Sequence, residues 1–332
     1  MKALVYTDTR EMTYRDEPDP QLAPGEVVLR IDAVGICGSD MHAYHGHDPR
    51  RVPPMILGHE LAGEIVGGPG KGKRVTANPL ITCGVCDYCV QGRNNLCADR
   101  TMVGMTRPGA YAQYMAIPAS SLIDLPQDMP ARQAALTEPA ATALHAVNLS
   151  MRSLARPLPE ASVLIIGGGA IGLLAALLLR AYGVREPHLA ETNGLRRASA
   201  AKHAGCRTYD SLAAGGPNPD SMELVIDAVG SKHTRQAAFA AVRPGGVIMH
   251  IGLQDWASEI DMRKLTLAEI TLMGTYTYST ADMRATVQAI YEGAFGDLSW
   301  VESRRLEAGP AAFADLDQGR AASSKLVLLP HA

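Results

Sequence analysis

A glycine-rich turn near the middle of the chain constrains the fold more than any other segment. Val163 to Ile166 form a continuous apolar run, which is typical of a central parallel strand covered on both faces. The next six residues read G-x-G-x-x-G, and the apolar stretch from Leu173 to Tyr182 predicts a helix. Glycines permit a tight turn and a close approach of the backbone to a pyrophosphate, which N–H groups at the helix N-terminus can bind. We therefore expect cofactor contacts from Gly167, Gly169, Ala170, Ile171 and Gly172.

An acidic residue follows this turn where a dinucleotide-binding unit requires one. The second predicted strand, Pro187 to Ala190, ends at Glu191. A carboxylate at that position accepts hydrogen bonds from both hydroxyls of the adenosine ribose and repels a 2′-phosphate. The sequence thus favours NAD over NADP, although the nearby Arg196 and Arg197 would tolerate the phosphate.

Strand and helix segments continue to alternate beyond this point. Leu224 to Asp227 and Gly246 to Gly252 predict strands, and Thr234 to Val242 predicts a helix. We expect Gly252, at the end of its strand, to be a further cofactor contact. This alternation predicts a doubly wound parallel sheet, and the alternative is the same sheet without a nucleotide.

The chain before residue 150 has a different pattern. Short alternating strands such as Val27 to Asp32 and Glu64 to Val66 are separated by proline and glycine, which indicates a mostly β domain. A length of 332 residues and a hydrophobic content of 47% suffice for two cores. The predicted fold class is therefore α/β, with a domain boundary near residue 150.

Four cysteines are arranged in the spacing C-x2-C-x2-C-x7-C: Cys83, Cys86, Cys89 and Cys97. Four thiolates at this spacing can close a tetrahedron around one Zn²⁺ and leave no position for a substrate, which predicts a structural site. Disulfides and an iron–sulfur cluster are the alternatives. The N-terminus has no apolar signal stretch, so we expect a reducing cytoplasm, and nothing nearby suggests an electron-transfer partner.

Charge and hydropathy argue against two classes of partner. A nucleic-acid-binding zinc ribbon needs a basic surface, whereas this chain has 31 Lys and Arg against 34 Asp and Glu. The apolar run from Val163 to Leu179 is interrupted by glycines and is short for a membrane span. We therefore expect neither nucleic acid nor a membrane as a partner.

A second metal site of a different kind is predicted in the β domain. A catalytic zinc needs about three protein ligands and one open position, and Cys37 and His59 are the two firm candidates. The remaining ligand comes from Glu60 or from Glu138. Alternatively, Cys37 is a small buried hydrophobic residue, and His59 and Glu60 are a hydrogen-bonded pair.

The motifs together resemble those of the zinc-dependent alcohol dehydrogenases of the medium-chain dehydrogenase/reductase family. The resemblance runs nearly end to end, and it is carried by Cys37 to His42, Gly58 to Glu60, the four-cysteine lobe, Gly109 to Tyr114, Glu138 with Pro139, and the glycine loop with Glu191 and Arg196. It implies a GroES-like, mostly β catalytic domain at 1–149 and a Rossmann domain at 150–297. The zinc lobe falls at about 79–100, and residues 298–332 return to the catalytic domain.

The closer likeness is to the polyol (sorbitol-type) and threonine dehydrogenases, because Glu138 stands where other alcohol dehydrogenases carry a cysteine ligand. In that branch, the residues matching Cys37, His59 and Glu60 hold the catalytic zinc, and the residue matching Glu138 lies nearby or exchanges with water. One departure concerns Thr277, which stands where sorbitol dehydrogenases tend to place an arginine that reaches substrate hydroxyls. This difference argues against sorbitol itself as the substrate.

The resemblance implies a zinc-dependent oxidoreductase that transfers a hydride from a secondary alcohol or polyol to NAD and yields a ketone. Each chain would hold one catalytic and one structural zinc. In this hypothesis Glu60 serves the catalytic centre, Ser39 accepts the proton of the substrate hydroxyl, and His42 passes it to the surface. The alternatives are an enzyme like L-threonine 3-dehydrogenase and a non-catalytic nucleotide-binding relative.

Association is a further expectation from the resemblance. Family members are usually dimers or tetramers through the edge of the Rossmann sheet. The segment from Leu272 to Tyr276 is a possible edge strand that would pair with its symmetry mate, and it is otherwise an ordinary covered strand. We therefore expect a homodimer or a homotetramer.

Overall fold

Two large sheets organise the chain, and each collects strands that are distant in sequence. The structure is a computed structural model that describes residues 1–213, 215–321 and 323–332. Its strands within these ranges are β1 Lys2–Asp8, β2 Glu11–Asp16, β3 Glu26–Gly35, β4 Met55–Ile56, β5 Glu60–Gly67, β6 Arg74–Ala77, β7 Leu80–Ile81, β8 Thr101–Met102, β9 Tyr114–Pro118, β10 Leu122–Asp124, β11 Val163–Ile166, β12 His188–Ala190, β13 Arg207–Tyr209, β14 Met222–Asp227, β15 Val242–His250, β16 Thr271–Gly274, β17 Val301–Arg305 and β18 Lys325–Leu329.

Most α-helices lie in the second half of the chain. Their bounds are α1 Gly38–Tyr44, α2 Asp87–Val90, α3 Ala131–Ala134, α4 Thr137–Met151, α5 Ala170–Ala181, α6 Gly194–Ala204, α7 Lys232–Ala241, α8 Met262–Leu267, α9 Thr280–Tyr291 and α10 Gly309–Asp317. No helix in the described ranges combines the length and the apolar character that a membrane crossing requires.

The first large sheet has seven strands and belongs mainly to the N-terminal part of the chain. Its order is β10-β6-β5-β3-β18-β17, and β9 also pairs with β3. Along β3, buried and half-buried residues alternate, because successive side chains of a strand point to opposite faces. The C-terminal strand β18 pairs antiparallel with β3, with Val327 opposite Gly35. The last two strands, β17 and β18, therefore complete a sheet that begins with β3, whereas β1 and β2 form a separate three-stranded sheet with β4.

The second large sheet has six parallel strands in the order β13-β12-β11-β14-β15-β16. This is the order 3-2-1-4-5-6 of a Rossmann sheet, in which the strand order reverses beside the first strand. The predicted α/β class, with a mostly β part and a doubly wound parallel sheet, is confirmed. The domain boundaries near residues 150 and 298 stay predictions.

Several elements differ in extent from the sequence prediction. Helix α5 begins at Ala170 instead of Leu173, because Gly169 already has the extended backbone of an N-cap residue. Helix α7 begins at Lys232, two residues before Thr234, because the side chain of Ser231 caps it. The segment predicted from Leu272 to Tyr276 is an edge strand that ends at Gly274 and pairs only with β15 among the described strands.

Helix α4 lies between the two sheets and shares one core with both. Its buried residues join a cluster that includes Ala33 and Ala62 of the first sheet and Leu173 of α5. The first turn of α4 carries Glu138, which is 6% exposed. A carboxylate is thus held at the junction of the two sheets by an otherwise apolar helix.

Candidate active site and metal centres

The pairing of β3 with β5 brings three metal-binding side chains together. Cys37 caps the start of α1, two residues after β3 ends, while His59 and Glu60 lie at the start of β5. Gly35 is the partner of Glu60 in the antiparallel register of these strands. One donor atom from each of Cys37, His59 and Glu60 lies within 4.8 Å of the other two. We call these three residues the catalytic cluster.

Asp40 of α1 orders this cluster. Its Oδ2 accepts hydrogen bonds from the backbone N–H of Cys37 at 3.1 Å and from the Tyr111 hydroxyl at 2.6 Å. Its Oδ1 lies 3.5 Å from Nδ1 of His59. Burial by itself would lower the pKa of His59, but the charges of Asp40, Cys37 and Glu138 raise it to about 10. The surroundings of His59 therefore favour a positive charge at this place.

The catalytic cluster fits zinc. Thiolate sulfur, imidazole nitrogen and carboxylate oxygen are the ligand types that Zn²⁺ takes. A metal-bound histidine usually directs its second ring nitrogen at a carboxylate or a carbonyl, which fixes its tautomer. His59 directs Nδ1 at Asp40, so Nε2 is the nitrogen left for a metal. Three such donors leave a fourth position open, as a catalytic zinc requires.

Lys325 neutralises Glu60 inside the protein. Its Nζ donates to both carboxylate oxygens of Glu60 at 2.7 Å and to the Ile36 carbonyl at 2.9 Å. The two side chains are 2% and 0% exposed. Burial lowers the pKa of Lys325, but the charges of Glu60 and Cys37 raise it above its ordinary value. The lysine therefore stays charged, and Glu60 is held in one orientation.

Glu138 lies beside the catalytic cluster but is not one of its members. Its Oε1 accepts a hydrogen bond from the buried hydroxyl of Tyr278 at 2.6 Å. The group of donor atoms within 4.8 Å of one another at this place contains Cys37, His59 and Glu60 and does not include Glu138. Burial raises the pKa of Glu138 to about 7, with His59 opposing the shift and Glu60 adding to it. Of the two glutamates that the sequence leaves open, Glu60 is the one placed with Cys37 and His59.

The four-cysteine lobe has the dimensions of a closed metal site. The four Sγ atoms lie within 4.8 Å of one another, with 3.6 Å between Cys83 and Cys97 and 3.9 Å between Cys83 and Cys89. Sulfurs placed tetrahedrally about 2.3 Å from a metal are about 3.8 Å apart. Backbone N–H groups of Val85 and Cys86 lower the pKa of Cys83 to about 7, which favours a thiolate at that cysteine. The backbone N–H of Cys89 acts to lower the pKa of Cys86, but burial and the neighbouring thiols outweigh it and raise this pKa to about 11. Disulfide sulfurs would lie about 2 Å apart, so this spacing suits a metal instead.

Helix α1 carries Ser39 and His42 on one face, because residues three apart are neighbours on a helix surface. The buried Arg51 donates a hydrogen bond to Ser39 Oγ at 3.3 Å. Burial, followed by the charges of His47 and His45, lowers the pKa of His42 below its ordinary value. His42 is therefore neutral at pH 7 and able to accept a proton.

The glycine loop joins β11 to α5 in the strand–turn–helix arrangement that the sequence predicts. Gly167 has a φ of 101°, and a Cβ on Gly172 would lie 1.8 Å from the Gly167 carbonyl oxygen. The Glu191 carboxylate faces this loop, where Oε2 accepts from the Gly168 N–H and Oε1 from the Asn193 N–H, both at 2.8 Å. The residue that Glu191 contacts, Gly168, directly precedes the predicted cofactor contacts at the start of α5, which are Gly169, Ala170 and Ile171.

Of the remaining predicted cofactor residues, Gly252 follows the carboxyl end of a strand, where Rossmann sheets bind their ligands, and Arg196 lies on a helix. The N–H of Gly252 donates to the Asp227 carbonyl at 3.0 Å, so Gly252 adjoins the end of β14. Arg196 lies in the first turn of α6. Arg197 is directed at the protein, since its Nη1 donates to the Glu191 carbonyl at 2.7 Å and to Asp210 at 3.1 Å.

Sequence reasoning missed four side chains of this site. Asp40 stands inside the Cys37 to His42 motif, but spacing alone assigns it no role. Arg51 and Tyr278 carry no local signal of these roles, because Ser39 and Glu138, the site residues that they contact, come from other elements. Lys325 is 265 residues away from Glu60, so only the tertiary structure reveals the pair.

Comparison with known proteins agrees with this arrangement. A model of the alcohol dehydrogenase GroES-like domain matches residues 23–127, and a model of zinc-binding dehydrogenases matches residues 170–292. L-Galactonate-5-dehydrogenase of Escherichia coli is 30% identical over 88% of both chains. An L-threonine 3-dehydrogenase of Aeromonas salmonicida is 31% identical over 79% of both chains. A sorbitol dehydrogenase of Bacillus subtilis is 32% identical over 84% of this chain and 83% of its own.

Solved structures share the whole fold. A zinc-binding dehydrogenase of Sinorhizobium meliloti, bound to NADP, has a TM-score of 0.87 at 28% identity over 99% of both chains. Acetophenone reductase of Geotrichum candidum, in complex with NAD, has a TM-score of 0.87 at 28% identity over 99% of this chain and 96% of that chain.

A β-rich part that carries a sulfur, nitrogen and oxygen metal cluster, joined to a Rossmann sheet, defines a zinc-dependent oxidoreductase. The chain belongs to the family of zinc-binding alcohol dehydrogenases, which confirms the resemblance drawn from its motifs. Within that family its relatives include polyol, sugar-acid and threonine dehydrogenases. The predicted class of alcohol or polyol dehydrogenase is confirmed at this level.

Proposed function

We propose that this chain uses the catalytic cluster to oxidise a secondary alcohol or polyol to a ketone with NAD. The proposal depends on one observation: donor atoms from Cys37, His59 and Glu60 lie within 4.8 Å of one another. A zinc ion held there supplies the Lewis acidity that lowers the pKa of a substrate hydroxyl, and bound NAD supplies the hydride acceptor. The alcohol loses one hydride from carbon and one proton from oxygen, and its C–O bond becomes C=O.

The proton leaves by way of α1 in this proposal. Ser39 Oγ accepts the hydroxyl proton as its own proton passes, through the nicotinamide ribose, to His42. The Arg51 guanidinium, which donates to that oxygen at 3.3 Å, holds the serine side chain in place. His42 receives the proton and releases it at the surface. The lowered pKa of His42 supports this role, because a neutral imidazole is available as a base at pH 7.

NAD is the proposed cofactor, with NADP as the alternative. The Glu191 carboxylate is held towards the glycine loop by the N–H groups of Gly168 and Asn193 at 2.8 Å, and a negative charge there repels a 2′-phosphate. Arg197 is engaged with the Glu191 carbonyl and Asp210, so it is not free to neutralise that phosphate. Arg196 is the residue that favours the alternative.

The four-cysteine lobe holds a structural zinc in this proposal. The sulfur spacings of 3.6 and 3.9 Å support a tetrahedral ion, and four thiolates leave no position for a substrate. None of the six cysteines, all of which lie in the described residues, forms a disulfide, which supports a reducing compartment such as the cytoplasm.

The substrate class is proposed from the site and the relatives. Relatives named for a sugar acid and a sugar alcohol support a polyhydroxylated substrate, and Thr277 in place of an arginine argues against sorbitol itself. L-Threonine is the second candidate, because relatives named L-threonine 3-dehydrogenase match over about four fifths of the chain, at 79% for one of them.

We also propose a homodimer or homotetramer that forms through the edge strand β16. This strand pairs only with β15 among the described strands, and its Leu272 is 37% exposed. The segment that leads to it exposes Leu253, Trp256, Met262 and Leu267 by 61 to 96%. An unpaired edge beside exposed apolar side chains favours pairing with another chain.

The experiment that tests the proposed function is a spectrophotometric assay of nicotinamide reduction by the purified protein. NAD and NADP are each combined with secondary alcohols, sugar alcohols, sugar acids and L-threonine, with and without a zinc chelator, and bound zinc is counted in parallel. Chelator-sensitive turnover supports the proposal and names the substrate class. Turnover that persists after the catalytic zinc has been removed would contradict it.

A further inference from the structure

The hydrogen bond between Tyr278 and Glu138 is the starting point. It joins two buried groups over 2.6 Å, which is the length of a strong bond from a hydroxyl to a carboxylate. Tyr278 is 0% exposed and Glu138 is 6% exposed. Such a bond restrains the carboxylate, because a buried charge that loses its partner is costly.

A second polar contact joins α4 to the segment at the start of α9. Glu138 lies in the first turn of α4, and His145 lies two turns further along the same helix. Nδ1 of His145 is 2.9 Å from Oδ2 of Asp282, which also accepts from the N–H and hydroxyl of Ser279, the N-cap of α9. Tyr278 directly precedes this cap. Its position relative to Glu138 is therefore set at two places.

The four-cysteine lobe holds the same segment from the other side. The buried Asn95, two residues before Cys97, donates from its side chain to the Tyr276 carbonyl at 2.8 Å. The neighbouring Asn94 accepts from the Thr280 N–H at 3.1 Å. The lobe thus holds the chain on both sides of Tyr278.

The three donor atoms of the catalytic cluster lie within 4.8 Å of one another, and Glu138 does not belong to this group. A fourth protein donor would close the tetrahedron and exclude a substrate, because a catalytic zinc needs an open position. The Glu138 carboxyl group lies beside this cluster and has the oxygen donors to act as that fourth ligand unless another contact holds it away. Tyr278 is the residue that contacts the Glu138 carboxylate in the described structure.

We propose that Tyr278 is a positioning residue that holds Glu138 out of the zinc's fourth position, and that the four-cysteine lobe keeps Tyr278 in place through Asn94 and Asn95. The inference rests on the proposed function, since it presumes zinc in the catalytic cluster. Without the Tyr278 hydroxyl, Glu138 loses its partner and turns to the metal. The site then binds zinc more tightly and turns over more slowly.

The test uses Tyr278→Phe in the full chain. The matched control is Tyr291→Phe, because the Tyr291 hydroxyl, at the end of the same helix α9, contacts only the exposed Asp128 among the described residues. Zinc affinity of the catalytic site is measured by chelator competition, with the structural zinc counted as an internal check of folding. We expect Tyr278→Phe to raise this affinity about 10-fold or more and to lower kcat, since a hydrogen bond to a charged group has about that strength. The control stays at the wild-type value.

A spectroscopic measurement separates this role from a general loss of structure. Cobalt replaces zinc in the catalytic cluster, and imidazole is added as a small exogenous ligand. In the wild type and in Tyr291→Phe the visible cobalt spectrum changes on addition, because a position is open. In Tyr278→Phe it does not change. An unaltered response to imidazole in Tyr278→Phe, or an unchanged or weakened zinc affinity, overturns the proposal.

The contribution of the lobe is tested with Asn95→Asp, which keeps the size of the side chain but removes its donor to the Tyr276 carbonyl. We expect a smaller increase in zinc affinity and a smaller loss of the cobalt response to imidazole than in Tyr278→Phe. The control Asn218→Asp, at an exposed position, should leave both unchanged. Wild-type behaviour of Asn95→Asp overturns the role of the lobe. Failure of the proposed function is recognised separately, since the wild type would then lack chelator-sensitive turnover.

Discussion

Lys325 donates to both oxygens of Glu60 at 2.7 Å, and the two side chains are almost completely buried. A buried carboxylate requires hydrogen-bonding partners of opposite charge, and Lys325 provides one from the C-terminal strand β18. Because β18 pairs with β3, the last strand of the chain brings this charge to a site positioned by β3 and β5. The completion of the sheet and the electrostatics of the site are therefore linked.

Replacement of Lys325 by methionine should destabilise the protein strongly. The change leaves Glu60 buried without its partner, and the loss of one member of a buried pair costs about 3 to 5 kcal/mol. Urea unfolding at a fixed zinc concentration measures the effect. Lys73→Met is the matched control, because its pair with Asp124 is exposed and contributes less than about 1 kcal/mol. Equal losses in the two variants would show that the buried pair has no special role.

Replacement of Cys37 by serine should remove the catalytic zinc and abolish turnover. A hydroxyl is a poor substitute for a thiolate ligand, whereas the four-cysteine lobe does not depend on Cys37. Metal analysis of the purified variant should therefore find one zinc per chain where the wild type has two. Cys206→Ala is the control, because Cys206 is buried outside both metal groups. Retention of both zinc ions by Cys37→Ser would contradict the assignment.

Replacement of His42 by alanine should slow alcohol oxidation at neutral pH by about 100-fold, which is the usual contribution of a positioned base. Because the pKa of His42 is lowered from 6.5, the imidazole is neutral at pH 7 and becomes protonated only in more acidic solution. Wild-type activity should accordingly fall with His42 protonation below pH 6.5, and the variant should recover partly at high pH.

The pH dependence of kcat for both proteins measures this effect. His233→Ala, at an exposed position of α7, should retain the wild-type profile. An unchanged profile in His42→Ala would remove this residue from the proton route.

Replacement of Glu191 by glutamine should weaken the preference for NAD. The change removes a negative charge that accepts from the ribose and repels a 2′-phosphate. We expect kcat/KM for NAD to fall about 10-fold or more, because hydrogen bonds to charged groups contribute about 1.5 to 3 kcal/mol, and kcat/KM for NADP to rise. Glu186→Gln, an exposed acid before β12, is the control. If the ratio of the two kcat/KM values stays constant, Glu191 does not select the cofactor.

Replacement of Leu272 by lysine should dissociate the oligomer. A charge on an edge strand opposes pairing with a second copy of the same strand. Light scattering coupled to size-exclusion chromatography measures the molar mass, which should fall to that of a 35.3 kDa monomer. Leu212→Lys is the control, because Leu212 is 86% exposed and lies outside β16. An unchanged mass would place the interface elsewhere.

Short-range patterns predicted much of this molecule. The apolar strand before Gly167, the glycine loop and Glu191 lie within one βαβ unit, and their interpretation as a Rossmann element agrees with the observed sheet order. The cysteine lobe could also be predicted from the sequence, because its four cysteines are close together along the chain as well as in space. Element ends were less certain, as at the start of α5, because caps depend on backbone conformation.

Contacts between residues that are far apart in the sequence could not be predicted from local patterns. The sequence left Glu60 and Glu138 as equal candidates, since both are acids in suitable motifs. The structure separates them, because strand pairing places Glu60 beside Cys37 while Tyr278 engages Glu138. Neither partner is visible in the local sequence around the glutamates.

The sequence by itself determined the kinds of chemistry available: a dinucleotide loop, a four-thiolate lobe, and a cysteine, histidine and glutamate suited to zinc. Each depends on residues close together along the chain, where spacing and residue type suffice. Only the tertiary structure decided which carboxylate joins the catalytic cluster and which buried charges balance it. These outcomes depend on contacts such as Lys325 with Glu60, which exist only after strands from opposite ends of the chain have paired and excluded water.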